Sequence, residues 1–325
     1  MPKFVPHALL RGGHVQTLAG YWLPGCRSPA GTVRHHVELS DGDQIVLHDD
    51  RPAGWTAGDR AALLLSGLAG CYQSGFLVRI AAKLNGRGVR TFRMDHRGTG
   101  AAVGLAQFPY HAGRSEDIRA ALNCIGEMCP ESPLAVAGFS LSGNMTLKLL
   151  GELPADVPAA LDRAVAVNPP IDLTLCTTHM ERPPSHLYGK HFTKLLCQQL
   201  REQPRLLADS VLERSSRPPR TLREFDELFT APKAGFASAD DYYTRSSASQ
   251  FVPQIRVPTL ILTSRDDPLV PPAPFESLEL SSAVTLHIAD AGGHLGYIAR
   301  GGIDPDRRWM DWRVVDWITG GAGCV

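Results

Sequence analysis

Residues 133–150 narrow the fold more than any other stretch of this chain. The apolar run Pro133-Leu134-Ala135-Val136-Ala137 meets Gly138-Phe139-Ser140-Leu141-Ser142-Gly143. The helix-forming string Asn144-Met145-Thr146-Leu147-Lys148-Leu149-Leu150 follows directly. A buried strand that turns sharply into a helix needs small side chains two positions before and two after the turning residue, and Gly138 and Ser142 supply them. The turn lifts the Ser140 hydroxyl above a sheet edge and places a helix N-terminus beneath it, where negative charge is favoured. Ser140 is therefore a candidate nucleophile. The same string also suits an ordinary strand–turn–helix in which serine caps the helix. The choice depends on partners elsewhere.

Two such partners lie downstream, each just after a strand-like run. Ala283-Val284-Thr285-Leu286-His287-Ile288-Ala289 alternates and leads into Ala291-Gly292-Gly293-His294. A histidine in a glycine-flanked loop after the last strand is placed to reach over the sheet to a serine. Pro258-Thr259-Leu260-Ile261-Leu262-Thr263-Ser264 is a second buried run, followed by Arg265-Asp266-Asp267-Pro268. An acid here orients the far nitrogen of the histidine. Asp267 is preferred, because the acid commonly stands before a short turn ending in Val-Pro, here Val270-Pro271. Asp266 is its competitor and otherwise a turn residue. The order Ser140, Asp267, His294 is that of the α/β-hydrolases.

An oxyanion site is expected upstream. Ala61-Ala62-Leu63-Leu64-Leu65 reads as a strand ending in Ser66-Gly67-Leu68-Ala69-Gly70. The backbone N–H groups of Leu68 and of Leu141, the residue after the nucleophile, are the expected donors. Taken alone, the 66–70 loop is equally an ordinary Gly-rich turn.

The rest of the pattern sets the architecture. Runs at 32–39 and 44–48 flank Asp41-Gly42, an antiparallel hairpin signal. Helical spacing over 75–85 and 115–128 alternates with strand-like runs at 89–94 and 163–168. Alternation of this kind predicts an α/β fold: a mostly parallel central sheet with helices on both faces. Residues 170–255 break the rhythm, with amphipathic helices expected over Leu187–Glu202 and Leu222–Phe229. The division expected is an N-terminal arm of little regular structure over 1–30, a core over 31–170 and 256–325, and a helical cap over 171–255.

Composition excludes several classes. The 325 residues carry 33 basic and 33 acidic side chains. The zero balance gives no reason to expect nucleic acid or an anionic membrane as the main partner. No apolar run approaches the roughly 18 residues that span a bilayer, and the N-terminus lacks the form of a signal peptide. Seven cysteines without a Cys-x-x-Cys pair suggest reduced thiols in a cytoplasmic protein. His179, His186 and His191 share no helical face and form no recognisable metal set, so no metal is expected.

Three further strings carry a family resemblance. Gly13-His14-Val15-Gln16-Thr17-Leu18 resembles a His-x-Gln-Thr signature. Gly138-Phe139-Ser140-Leu141-Ser142-Gly143-Asn144 resembles a Gly-Phe-Ser-Leu-Gly-Gly-Asn elbow. Asp241-Tyr242-Tyr243, Val257-Pro258-Thr259-Leu260-Ile261 and Asp266-Asp267-Pro268 resemble the segment that leads to the acid. Together they resemble the YheT-like branch of the α/β-hydrolases, which also includes animal membrane-anchored lipases. The resemblance implies esterase or lipase action on a small-molecule or lipid-like ester, without a cofactor, through Ser140, Asp267 and His294. Two departures are Ser142 for glycine and Ser66 for histidine. An acyltransferase using the same triad, and a catalytically idle binding protein on the same fold, stay open, as do the roles of His14, Gln16 and Asp95-His96-Arg97-Gly98, for which bracing loops near the site is preferred to direct catalysis.

Overall fold

The computed structural model describes residues 1–23, 29 and 31–321. Eight strands form one sheet: β1 Val33–Glu38, β2 Gln44–Asp50, β3 Ala61–Leu65, β4 Arg90–Asp95, β5 Leu134–Phe139, β6 Leu161–Val167, β7 Thr259–Ser264 and β8 Val284–Ala289. Their spatial order is β1-β2-β4-β3-β5-β6-β7-β8. The expected hairpin pairs β1 with β2 and sets Val37 opposite Ile45. β2 runs antiparallel to β4, and every later pairing is parallel.

Parallel neighbours need long crossovers, and helices α2 Gly75–Asn85, α3 Ser115–Met128 and α4 Leu141–Glu152 supply three of them. All five residues of β3 are buried because both faces of the sheet are covered. Ala61, Leu63 and Leu65 pack with Ile118 and Leu122 of α3. Ala62 and Leu64 point the other way, toward Ile80 and Leu84 of α2 and toward Val314 and Ile318 of a C-terminal helix, Trp309–Thr319. The parallel strands end on a common edge, so the loops after β3, β4, β5, β7 and β8 converge there.

The first thirty residues differ from expectation. Gly13–Trp22 forms a ten-residue helix, here α1 (N-terminal to α2). Its glycines are poor helix formers, and tertiary contact holds it instead. A side chain at Gly13 would overlap the Asp266 carbonyl, and one at Gly293 would overlap the Gly13 carbonyl, so the two backbones pack directly.

Between β6 and β7 the described residues form no strand. They fold into α5 Leu173–His179, α6 His186–Arg201 and further helical pieces, among them Ala239–Ser246. The helix expected over 222–229 is interrupted: Leu222–Phe225 is α-helical and Asp226–Thr230 is a π-turn. Five described cysteines are free thiols, while Cys26 and Cys324 lie outside the described residues.

Candidate active site

Ser140 stands between β5 and α4 at φ 53°, ψ −121°. A non-glycine residue held there stores strain of about 1–3 kcal/mol. Small neighbours make the turn feasible, because a Cβ on Gly138 would run into the Ser142 carbonyl and the Thr146 hydroxyl. The Ser140 N–H is anchored on the Val167 carbonyl at 2.8 Å.

The loop after β8 brings His294 to Ser140, with Nε2 2.9 Å from the serine Oγ. Its Nδ1 lies 2.8 Å from Asp267 Oδ2. A carboxylate beside Nδ1 keeps the proton on that nitrogen and leaves Nε2 as the acceptor. The Asp267 carboxylate is itself held on all sides. Oδ1 accepts the N–H groups of Leu269 and Val270 at 2.8 and 3.1 Å. Oδ2 also accepts from Asn168 Nδ2 at 2.7 Å. Asp266 faces elsewhere and accepts the Gly293 N–H at 2.9 Å.

Leu68 and Leu141 line the same cavity as Ser140 and His294. Leu141 is the first residue of α4, so its N–H has no intrahelical acceptor. The 66–70 loop is braced at two points. Tyr110 accepts the Ala69 N–H at 2.8 Å. Ser142 donates its hydroxyl to the Ser66 carbonyl and receives His96 Nε2–H at 2.8 Å. Burial holds the His96 pKa down to about 4, which keeps the ring neutral. Of the two departures from the family pattern, Ser142 thus supplies the hydroxyl of this bond, whereas Ser66 takes part through its backbone carbonyl.

The remaining residues of the 95–98 string are braces. Asp95 accepts the Tyr72 and Ala101 N–H groups and His48 Nε2. Arg97 binds Asp117 through two nitrogens and reaches Asp41 and Asp43 in the β1–β2 turn. The Gly98 carbonyl accepts Gln203 Nε2 from the helical region at 2.9 Å.

Four residues at the site had no role assigned from sequence. Thr17 Oγ1 accepts the His294 N–H at 2.8 Å and donates to the Gly13 carbonyl. Buried Gln16 exchanges hydrogen bonds with both the N–H and the carbonyl of Ile298. Asn168 supports Asp267, and Tyr110 supports the 66–70 loop. Only the His-x-Gln-Thr string pointed toward the first two. His14 turns to α6, where it stacks on Tyr188 and bonds its hydroxyl at 3.1 Å.

A single cavity lies between the catalytic loops and the helical region. Ser140 and His294 open into it, and Met180, Phe192, Leu196, Leu200, Phe225 and Phe229 make its wall apolar. Asp226 is the acidic group in this wall. Desolvation raises its pKa to about 6, and Tyr243 donates to it at 2.7 Å. Among the described residues no His/Cys/Asp/Glu cluster fits a metal ion.

Comparison with known proteins shows the family. Residues 59–295 match the family described as Serine aminopeptidase, S33. The chain is 31% identical to Putative esterase YheT of Escherichia coli over 288 residues, covering 87% of this chain and 83% of that protein. It is 26% identical to Phospholipase ABHD3 of Mus musculus over 81% of this chain, and spans 65% of that longer relative. It is 29% identical to a Monoacylglycerol lipase of Saccharomyces cerevisiae over 62% of this chain and 45% of the yeast protein. In fold it resembles the esterase Pf2001 of Pyrococcus furiosus, with a TM-score of 0.60 at 16% identity over 99% of both chains. The chain thus belongs to the S33-type α/β-hydrolases and, within them, to the YheT-like branch of carboxylic ester hydrolases.

Proposed function

We propose that Ser140, His294 and Asp267 cleave carboxylic esters by two-step acyl transfer. The observation that carries this reading is the hydrogen-bonded run from Ser140 Oγ through both nitrogens of His294 to Asp267, at 2.9 and 2.8 Å. His294 Nε2 takes the hydroxyl proton as Ser140 attacks the ester carbonyl, and then gives it to the leaving alcohol. Asp267 holds the imidazole tautomer and stabilises the imidazolium. The N–H groups of Leu68 and Leu141 receive the oxyanion, each worth on the order of a hundredfold or more in rate. Water, activated by the same histidine, frees the acyl group.

Residues 171–255 act as a cap over a core formed by 31–170 and 256–325. The apolar wall contributed by α6 and the 222–229 segment suits the acyl chain of a lipid-like ester. Relatives named esterase, phospholipase and monoacylglycerol lipase point to the same substrate class.

Fluorophosphonate labelling and hydrolysis of p-nitrophenyl esters of graded chain length test this reading. Ser140→Ala is expected to lose the label and nearly all turnover while keeping the fold. Asp267→Asn is expected to fall by on the order of 10⁴-fold, as in a serine protease with its acid neutralised. Asp266→Asn, which keeps an acceptor for Gly293, stays within about tenfold of wild type. Label retained in Ser140→Ala overturns the assignment.

A further inference from the structure

We propose that residues 5–23 form a lipid-docking surface that seats the enzyme on an anionic bilayer. Among the described residues, seven of the sixteen exposed large apolar side chains fall in this short stretch: Val5, Leu9, Val15, Leu18, Tyr21, Trp22 and Leu23. Leu9, Tyr21 and Trp22 are 85, 72 and 75% exposed. An ordinary surface helix turns polar residues outward. α1 does the reverse. It carries no charged residue, its polar Gln16 and Thr17 turn inward to bond backbone groups, and Val15, Leu18 and Trp22 face out. Concentrated exposed apolar area of this kind marks a contact surface.

The chemistry around the patch selects the partner. Tyr21 and Trp22 meet edge to face at 5.2 Å, an aromatic pair suited to the depth of lipid headgroups. The chain has no acidic residue before Glu38, so residues 1–23 bring only Lys3 and Arg11. The segment that pairs with them, joined by the Pro6–Ala299 bridge and the Arg300 N–H to the Val5 carbonyl, adds exposed Arg300 and Arg307 and exposed Ile303. Asp290 pairs with Lys3, Asp304 with Arg313 and Asp306 with Lys83, so Arg11, Arg300 and Arg307 are the cations of this rim without a carboxylate partner among the described residues. The zero net charge of the whole chain hides this local basic excess.

An apolar centre with a basic rim matches an anionic headgroup layer. A second copy of the chain fits less well, because a two-fold contact would set the same arginines against each other. Among the described residues no helix is long and apolar enough to cross a membrane, so the contact is peripheral. The same helix touches the His294 loop through Thr17 and the cap helix α6 through His14, next to exposed Leu187. Docking there sets the seam between core and helical region against the lipid.

Flotation of the full chain with phosphatidylcholine vesicles, with and without phosphatidylglycerol, tests the proposal. The chain is expected to float with the anionic vesicles and to release at high salt. The double variant Leu9→Gln, Trp22→Gln and the charge variant Arg11→Glu are each expected to weaken binding by about tenfold. Hydrolysis of soluble p-nitrophenyl butyrate stays at the wild-type rate in both, and hydrolysis of an ester carried in the vesicles falls with binding. Wild type that stays below the vesicles overturns the proposal. So does a dimer in sedimentation that the double variant dissociates. Loss of soluble-ester hydrolysis in wild type counts against the ester reading alone, since flotation does not depend on it.

Discussion

The hydroxyl of Thr17 accepts the backbone N–H of His294 at 2.8 Å, across 277 positions of sequence. Because the same hydroxyl donates to the Gly13 carbonyl, helix α1 fixes the height of the histidine loop above Ser140. Thr17→Val keeps the shape and removes the acceptor, leaving a buried N–H unpaired at a cost of about 1–3 kcal/mol. The expected result is a fall in kcat of about tenfold or more with KM nearly unchanged. Thr17→Ser restores the acceptor and is expected to recover most of the rate. Steady-state kinetics on a soluble ester separate the two.

Ser140 is held at a positive φ that glycine adopts without strain. Ser140→Gly is therefore expected to raise the unfolding free energy by about 1 kcal/mol while abolishing turnover. Thermal unfolding of wild type, Ser140→Ala and Ser140→Gly checks this. Alanine retains the Cβ and should gain less than glycine.

Restoring the family's glycine at position 142 is expected to harm this chain. Ser142→Gly strands the Ser66 carbonyl and His96 Nε2, both buried, and loosens the 66–70 loop. The expected cost is about 1–3 kcal/mol of stability together with slower acylation by fluorophosphonate. A variant as stable and as quickly labelled as wild type would show that the bracing is idle.

Two buried groups give stability opposite pH dependences over one range. His96, held down to about 4, binds fewer protons folded than unfolded, so its stabilisation is lost as pH falls from 6.5 toward 4. Asp226, raised to about 6, binds more protons folded than unfolded, so its contribution worsens as pH rises from 3.8 through 6. Asp226→Asn removes the second effect. The melting temperature of the variant minus that of wild type is expected to be small near pH 4 and to grow more positive through pH 6. Thermal unfolding across this range gives the curve, and a difference that stays flat would place no ionised carboxylate in the cavity wall.

The strands, the hairpin and the crossover helices were legible because each is encoded locally, as alternation or as apolar spacing of three and four. The elbow and the loops after β7 and β8 were legible for a related reason: in a parallel sheet the functional loops follow strand ends, so sequence order alone groups them. Helix α1 was not legible. Gly13 and Gly20 argue against a helix, and the contacts that hold it come from distant residues, Tyr188 and the stretch beyond 265. The π-turn at Asp226–Thr230 also escaped, since its 222–229 string has ordinary helical spacing. The Trp309–Thr319 helix was passed over, though its buried Met310, Val314 and Ile318 stand at helical intervals. The Ser142–Ser66–His96 contact joins three separate loops, and no single segment carries its signal.

The packing of α1 onto the last loops also sets an order of events during synthesis. Residues 5–23 leave the ribosome long before most of their binding partners, Asp266 and the stretch from Gly293 to Arg308. Until then the helix lacks most of the contacts that hold it, and a segment this rich in exposed Leu, Tyr and Trp must wait in water. The strands of the sheet can pair progressively, but His294 has no fixed place until its loop has met Thr17. Nascent chains arrested before residue 292 should accordingly fail to take a fluorophosphonate label at Ser140. Competence for chemistry would then arrive as a single late step, set by two segments 277 positions apart.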